Sequence, residues 1–411
     1  MNINININMP KEVVTALEIL SENGFEAYIV GGCVRDSLLG NAPNDWDITT
    51  SAKPDDIISC FNNYRTINTG LKHGTVTVII NKQQLEITTY RIDGKYSDNR
   101  RPDNVLFTDK VSFDLKRRDF TINALAYNNN GIVDLFGGIE DIRNKVIKCV
   151  GEPDERFNED GLRILRALRF ASVLKFEIDN NTSLSIHKNK ELLINISKER
   201  ITVEFNKLLQ GVNFIDILRE YKEIIEVFIP EITNYNNQEW ENILNSMNYA
   251  ESLILRLSIL LYKTNVDLVL RTLKYDGATI KNVKSVVMFK DEEIIPHKIN
   301  IKKQLSIIGF ENYNNLIKFK KALYKSQENK YNQELLNIEN SENILNDIVM
   351  NNECFNLKML EINGEDLQRE GFSKGIQLGL ILNEILNLVI EEKLQNKKEI
   401  LIEYVKKYKN I

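Results

Sequence analysis

The sequence predicts an α+β chain: a small mixed-sheet head over residues 1–150, followed by an elongated, all-helical remainder. Three observations carry this. Before residue 150, short runs rich in Val, Ile and Thr alternate with helical stretches. After Gly151-Glu152-Pro153, apolar residues recur at spacings of three and four almost to the carboxyl end. Finally, 19 Gly and 7 Pro among 411 residues are too few for a fold of many tight turns.

Taken in order, Ala27–Val30 is an apolar strand that runs directly into Gly31-Gly32, and residues 33–39 continue as a helix. Asp47–Thr50, Thr75–Ile80 and residues 85–90 read as further strands, with Asn81-Lys82 as the turn between the last two. The helical remainder is expected to divide into a neck (151–210), a body (211–300) and a tail (301–411).

The scarce residues exclude whole classes of chemistry. Cys33, Cys60, Cys149 and Cys354 form no C-x-x-C pair, and His73, His187 and His297 form no His-Asp or H-E-x-x-H motif. Zinc, thioredoxin-like and His-rich hydrolytic sites are therefore not expected, and carboxylates remain as metal ligands. The first ten residues lack the basic start and apolar run of a signal peptide. The most apolar windows, 253–262 and 378–390, are interrupted by Arg256 and by Asn383, Glu384 and Asn387, so a soluble, cytoplasmic protein with no membrane contact is expected. Fifty-three basic against 58 acidic side chains give a net charge of -5, which argues against promiscuous binding of nucleic acid.

Two features of the head carry chemistry. A strand, a glycine turn and a helix can present bare backbone N–H groups to a phosphate; Gly32 and, one turn on, Arg35 are the candidate contacts. Ten residues beyond Arg35, Asp45-Trp46-Asp47 places two carboxylates at i and i+2, the same face of a strand. Two like charges so placed call for a cation between them, and hard oxygen ligands describe a Mg²⁺ site. Glu86, on a later strand, is a candidate third carboxylate.

G-G-x-V-R-D followed by D-x-D resembles the nucleotidyltransferase head of the polymerase-β superfamily. Three further blocks narrow this to the class II tRNA nucleotidyltransferase and bacterial poly(A) polymerase family: R-R-D-F-T-I-N-A from Arg117, E-D-G-L-R-I-L-R-A-L-R-F from Glu159, and E-R-I-x-x-E-F from Glu199. The resemblance implies template-independent addition of C, C and A to the tRNA 3′ end from CTP and ATP, with Mg²⁺ on Asp45 and Asp47 and release of pyrophosphate. It implies that Arg118 and Asp119 meet the nucleotide sugar, and that Asp160 and Arg163 read the base. Arg166 and Arg169 would hold phosphates or brace that pair.

The chemistry agrees with the implied base reading. A carboxylate only accepts and a guanidinium only donates, a pattern that complements the amine and ring nitrogen shared by adenine and cytosine and opposes uracil and guanine. The spacing of Asp160, Arg163, Arg166 and Arg169 places all four along one helix. Within the family, the segment 91–102 resembles the flexible loop of full CCA-adding members, and Ile362-Asn363-Gly364-Glu365-Asp366-Leu367 resembles their tail. A-only addition and poly(A) synthesis are the alternatives. An antibiotic-modifying nucleotidyltransferase would not need so long a helical remainder, and a catalytically dead RNA-binding scaffold would not need Asp45 and Asp47. In the tail, Lys302, Lys303, Lys318, Lys320 and Lys321 are candidate contacts to the tRNA backbone. No protein partner is implied.

Overall fold

The computed structural model describes residues 6–68, 70–94, 104–327 and 330–408. The chain forms two compact units, Met1–Pro230 and Glu231–Ile411.

Unit one opens with α1 (Lys11–Glu22), which buries Val13, Ala16, Leu17 and Leu20 at helical spacing. β1 (Ala27–Val30) runs into α2 (Gly32–Leu38), and β2 (Asp47–Thr50) into α3 (Pro54–Cys60), where Pro54 occupies the first helical position. β3 (Arg65–Ile67), β4 (Thr75–Ile80) and β5 (Gln83–Thr89) form an antiparallel meander. Asn81 and Lys82 join the last two with φ of 47° and 74°, the left-handed pair of a tight hairpin. β6 (Arg91–Asp93) and β7 (Val105–Phe107) pair as a separate ribbon. Residues 95–103, most of the expected loop, lie outside the described residues. α4 (Val111–Lys116) leads to the hairpin β8 (Leu125–Asn128) and β9 (Gly131–Asp134), then to α5 (Gly138–Asn144) and β10 (Val146–Ile147).

The seven-stranded sheet has the order β3-β4-β5-β2-β1-β8-β9. Among the described residues β2 and β5 pair in parallel and the other ladders of this sheet are antiparallel, so the sheet is mixed. β3, β8 and β9 are short strands that the sequence pattern does not reveal.

Beyond Gly151 the unit is helical, as the spacing predicts: α6 (Pro153–Glu159), α7 (Leu162–Leu174), α8 (Asn180–Asn189), α9 (Lys198–Leu209), α10 (Phe214–Glu220) and α11 (Lys222–Glu226). The exception is β11 (Glu177–Ile178), which pairs in parallel with β10. α7 packs along α9 through Ile164, Leu165 and Leu168 on one helix and Ile201, Phe205 and Leu208 on the other. Phe170 of α7 meets Phe120 edge-on at 5.8 Å, tying the neck helices to the head.

Unit two contains α12 (Asn237–Met247), α13 (Leu253–Leu261), α14 (Val266–Thr272), α15 (Gly277–Met288), α16 (Lys298–Lys325), α17 (Asn332–Met350), α18 (Gly364–Arg369), α19 (Ile376–Ile390) and α20 (Lys398–Tyr408). α16 breaks at Gly309, whose φ of 79° is outside any right-handed helix. Around α18, α19 and α20 a separate core gathers Ile362, Leu367, Ile381, Ile385, Ile390 and Leu401. Among the described residues no helix is long and apolar enough to cross a membrane.

Candidate active site

The carboxylates come first. In the parallel pair Asp47 stands opposite Glu86, so the two side chains share one face of the sheet. Asp45 precedes the strand proper, in irregular backbone, yet Trp46 and Ile48 turn inward while Asp45 and Asp47 remain exposed. The i, i+2 alternation thus holds across the strand end. Enclosure by protein pushes the Asp47 carboxyl above its ordinary range; Arg118 opposes this, and Glu86 and Asp45 reinforce it by repulsion. Hard oxygen donors on one face, with no ion pair to a described residue, fit a Mg²⁺-type cation. Among the described residues no three metal-ligating side chains are gathered closely enough to hold an ion, and Glu86 stands beside Asp47 on the neighbouring strand. A cavity of about 510 Å³ opens here, lined by Asn44, Asp45, Asp47, Thr77, Gln84 and Glu86.

On the other flank of β2, across β1 and β8, are the arginines. Gly31 has φ 79° and ψ -125°, and a Cβ there would lie 2.7 Å from Arg118 Nη1. Only glycine satisfies both the backbone and the close guanidinium, so Gly31 carries the constraint of the turn, and Gly32, the expected phosphate contact, is the first residue of α2. Arg118 Nε is buried without a hydrogen-bond partner, and its Nη2 reaches Asp114 at 3.4 Å. Arg35 donates to Asn123 at 2.6 Å and pairs with Asp36 at 2.7 Å.

Asn123 in turn donates to Asp119 at 3.0 Å, and Arg166 donates to the other oxygen of Asp119 at 2.8 Å. Burial raises the Asp119 carboxyl, but Arg166, Asn123 and Arg163 outweigh it and hold the group well below the ordinary range. Glu204 of α9 lies 3.7 Å from Arg166 and 2.8 Å from Arg169. Burial outweighs that partner and pulls the Arg169 guanidinium down to about 10. The guanidiniums of Arg169, Arg35 and Arg166 surround the Phe170 ring at 3.8, 5.0 and 5.4 Å.

Asp160 departs from its expected place. It sits between α6 and α7 with φ -141° and ψ 104°, because the chain breaks at Asp160-Gly161 and the helix restarts at Leu162. Its Oδ1 accepts from the Leu162 N–H at 3.1 Å, and Arg200 of α9 donates to Oδ2 at 2.7 Å. Arg163, Arg166 and Arg169 are on α7 as predicted. Arg163 donates to Glu159 at 2.6 Å and to the Arg117 and Arg156 carbonyls at 2.9 and 3.1 Å. Asp160 and Arg163 are therefore neighbours, each held by a different partner. Asn123, Phe170, Arg200 and Glu204 had no role assigned from sequence, although all four stand inside the motif blocks.

The lysines of unit two divide sharply. Lys302 is 4% exposed and paired with Glu353; Lys320 is 2% exposed and donates to the carbonyls of Lys290 and Glu292. Buried and bonded within the protein, these two are not tRNA-backbone contacts, contrary to the sequence expectation. Each lies on the buried side of its own half of α16, which a count of lysines does not reveal. Lys303, Lys318 and Lys321 reach the surface, with ion-pair distances of 2.6 Å to Glu391, 3.7 Å to Glu251 and 2.6 Å to Glu342.

A mixed sheet with an aspartate pair at the start of one strand and an arginine wall beside it is the head of a nucleotidyltransferase. Residues 27–148 match the family described as "Poly A polymerase head domain", residues 175–236 "Probable RNA and SrmB- binding site of polymerase A", and residues 246–405 the second domain of tRNA nucleotidyltransferases. The chain is 38% identical to the CCA-adding enzyme of Ligilactobacillus salivarius, over 97% of its own length and 98% of that protein's. It is 35% identical to the CCA-adding enzyme of Enterococcus faecalis, over 97% and 96%. The Bacillus stearothermophilus CCA-adding enzyme in complex with CTP superposes with a TM-score of 0.80 at 29% identity, covering 98% of both chains. The chain belongs to the CCA-adding enzyme family.

Proposed function

We propose that this protein adds C, C and A to the 3′ end of tRNA from CTP and ATP, without a template, releasing pyrophosphate. The observation that carries the reading is the position of Asp47, which has the guanidinium of Arg118 on one side and Glu86 with an open cavity on the other. The triphosphate binds on the arginine side, with Arg118, its Nε still unpaired, and Arg35 as the contacts. Arg166 and Arg169 supply further positive charge, while Asp119, held by the Phe120 N–H, Asn123 and a two-pronged contact from Arg166, takes the ribose hydroxyl by exchanging one of these partners for it. Asp45 and Asp47 would hold Mg²⁺, which would supply neutralisation of phosphate charge and a more acidic acceptor hydroxyl.

Asp160 and Arg163 select the base. Arg200 and Glu159 fix their orientations, so the acceptor and donor face C or A in one arrangement, and uracil or guanine sets like against like. A site of this kind discriminates by as much as ~10⁴-fold. Lys303, Lys318 and Lys321 contribute to tRNA-backbone binding. The decisive test supplies tRNA transcripts lacking CCA, lacking only A, or complete, with each labelled nucleotide singly and together. Extension by three residues on the first and by A alone on the second is expected. Addition of A only, or of a long A tract, on every transcript refutes the assignment.

A further inference from the structure

We infer that Thr77 and Gln84 hold the ribose hydroxyls of the acceptor's 3′-terminal nucleotide, and so position the attacking end of the RNA. The inference rests on the nucleotidyl-transfer reading above and extends it to the second substrate.

The argument is topological. The sheet order places β2, with Asp47, between β1 and β8 on one side and β5 and β4 on the other. The arginines that suit a triphosphate gather on the β1 and β8 side, around Gly31, Arg118 and Asn123. An acceptor oxygen that displaces pyrophosphate in line must approach from the opposite side. There the sheet offers the cavity of about 510 Å³, and its walls contain no Lys or Arg.

The register identifies what lines it. Thr77 stands opposite Glu86, and Gln84 opposite Ile79, on antiparallel β4 and β5; Glu86 is also opposite Asp47 on β2. Thr77, Gln84 and Glu86 therefore lie on one face, next to the aspartate pair, while Val76, Val78, Leu85 and Ile87 are buried on the other. A wall of carboxylates and neutral polar groups repels a phosphate and accommodates a nucleoside. A hydroxyl and a carboxamide each both donate and accept, which matches ribose hydroxyls. Neither side chain makes a hydrogen bond to another described residue, so neither is committed to holding the sheet together. Thr75 and Thr88, one step along the same strands, are so committed, bonding to each other at 2.9 Å.

The test measures kcat and KM separately for acceptor RNA and for CTP and ATP in the wild type, Thr77→Val and Gln84→Ala, using acceptors that end in a ribonucleotide or a 2′-deoxyribonucleotide. One neutral hydrogen bond corresponds to about fivefold in affinity. Each variant is expected to raise the acceptor KM about fivefold, with the nucleotide KM and the melting temperature unchanged. The deoxy-terminated acceptor should cost the wild type a similar factor, and at least one variant little more. An unchanged acceptor KM, or equal sensitivity to the deoxy end in all three proteins, overturns the inference while leaving the transfer reading intact. Failure of the wild type itself to incorporate nucleotide overturns both.

Discussion

Gly31→Ala is the most informative single substitution, because its two effects have separate physical origins. The first is backbone strain: φ 79° with ψ -125° lies outside the regions an alanine readily occupies. Such strain costs about 1–3 kcal/mol, which for a unit of this size lowers the melting temperature by roughly 2–4 °C per kcal/mol. The second is displacement. A new Cβ would lie 2.7 Å from Arg118 Nη1, and ordinary contact begins at 3.4 Å, so the guanidinium must retreat by about 0.7 Å. That group is the flexible end of a side chain, and its movement adds little to the stability loss. For catalysis the shift matters more, since misplacement on the order of 1 Å can lower the rate ~10²-fold. The expected result is a fall in kcat/KM for both CTP and ATP of at least about tenfold. The assay repeats Gly31→Ala in an Arg118→Ala background, following thermal unfolding and nucleotide incorporation together. The thermal penalty should persist there, and the further loss in kcat/KM should largely vanish. An equal catalytic loss in both backgrounds would refute the link between Gly31 and the arginine.

Three other substitutions address the rest of the site. Asp47→Asn should reduce incorporation by roughly three orders of magnitude or more while tRNA still binds in a gel-shift assay; near-normal turnover would remove the metal role from the aspartate pair. Arg200→Ala frees Asp160 Oδ2, and misincorporation of UMP and GMP should rise about tenfold or more before total activity falls; unchanged fidelity would show that Arg200 does not orient the base-reading carboxylate. Lys320→Ala and Lys302→Ala should lower the melting temperature and leave the salt dependence of tRNA binding alone, whereas Lys318→Ala or Lys303→Ala should reduce the slope of log K against log salt by about one; the reverse pattern would contradict the burial described above.

The strands that bear the chemistry were legible in the sequence because local pattern determines them. Ala27–Val30, Asp47–Thr50 and Thr75–Ile80 are long enough to show β-branched runs, and each is found with the bounds predicted. The carboxylates could be located for the same reason: side-chain alternation is a property of two adjacent residues. What could not be read was whatever depends on a partner distant in the chain. Arg200 reaches Asp160 across 40 residues, and Arg166 reaches Asp119 across 47. No local period encodes such contacts, so the sequence locates Asp160 and Arg163 but not the residues that hold them. Asp160 illustrates a second limit. Residues three apart are compatible with a helix, but the chain turns extended at Asp160, and the aspartate takes the cap-like position at the restart instead. The lysines of α16 failed for a third reason: a helix interrupted at Gly309 has no single outward face from which exposure can be counted.

The ring of Phe170 has a consequence for the reaction's product. Three guanidiniums held around one aromatic ring repel one another, and the fold offsets this through Asp36, Asp119, Glu204 and the ring itself. A polyanion that settles among them relieves the remaining repulsion, whether or not it carries a base. Pyrophosphate leaving the nucleotide and the next incoming triphosphate therefore draw on the same charges. On the proposed reading, product release and substrate entry are competing occupancies of one cationic neck, and pyrophosphate is expected to inhibit competitively and to raise the melting temperature.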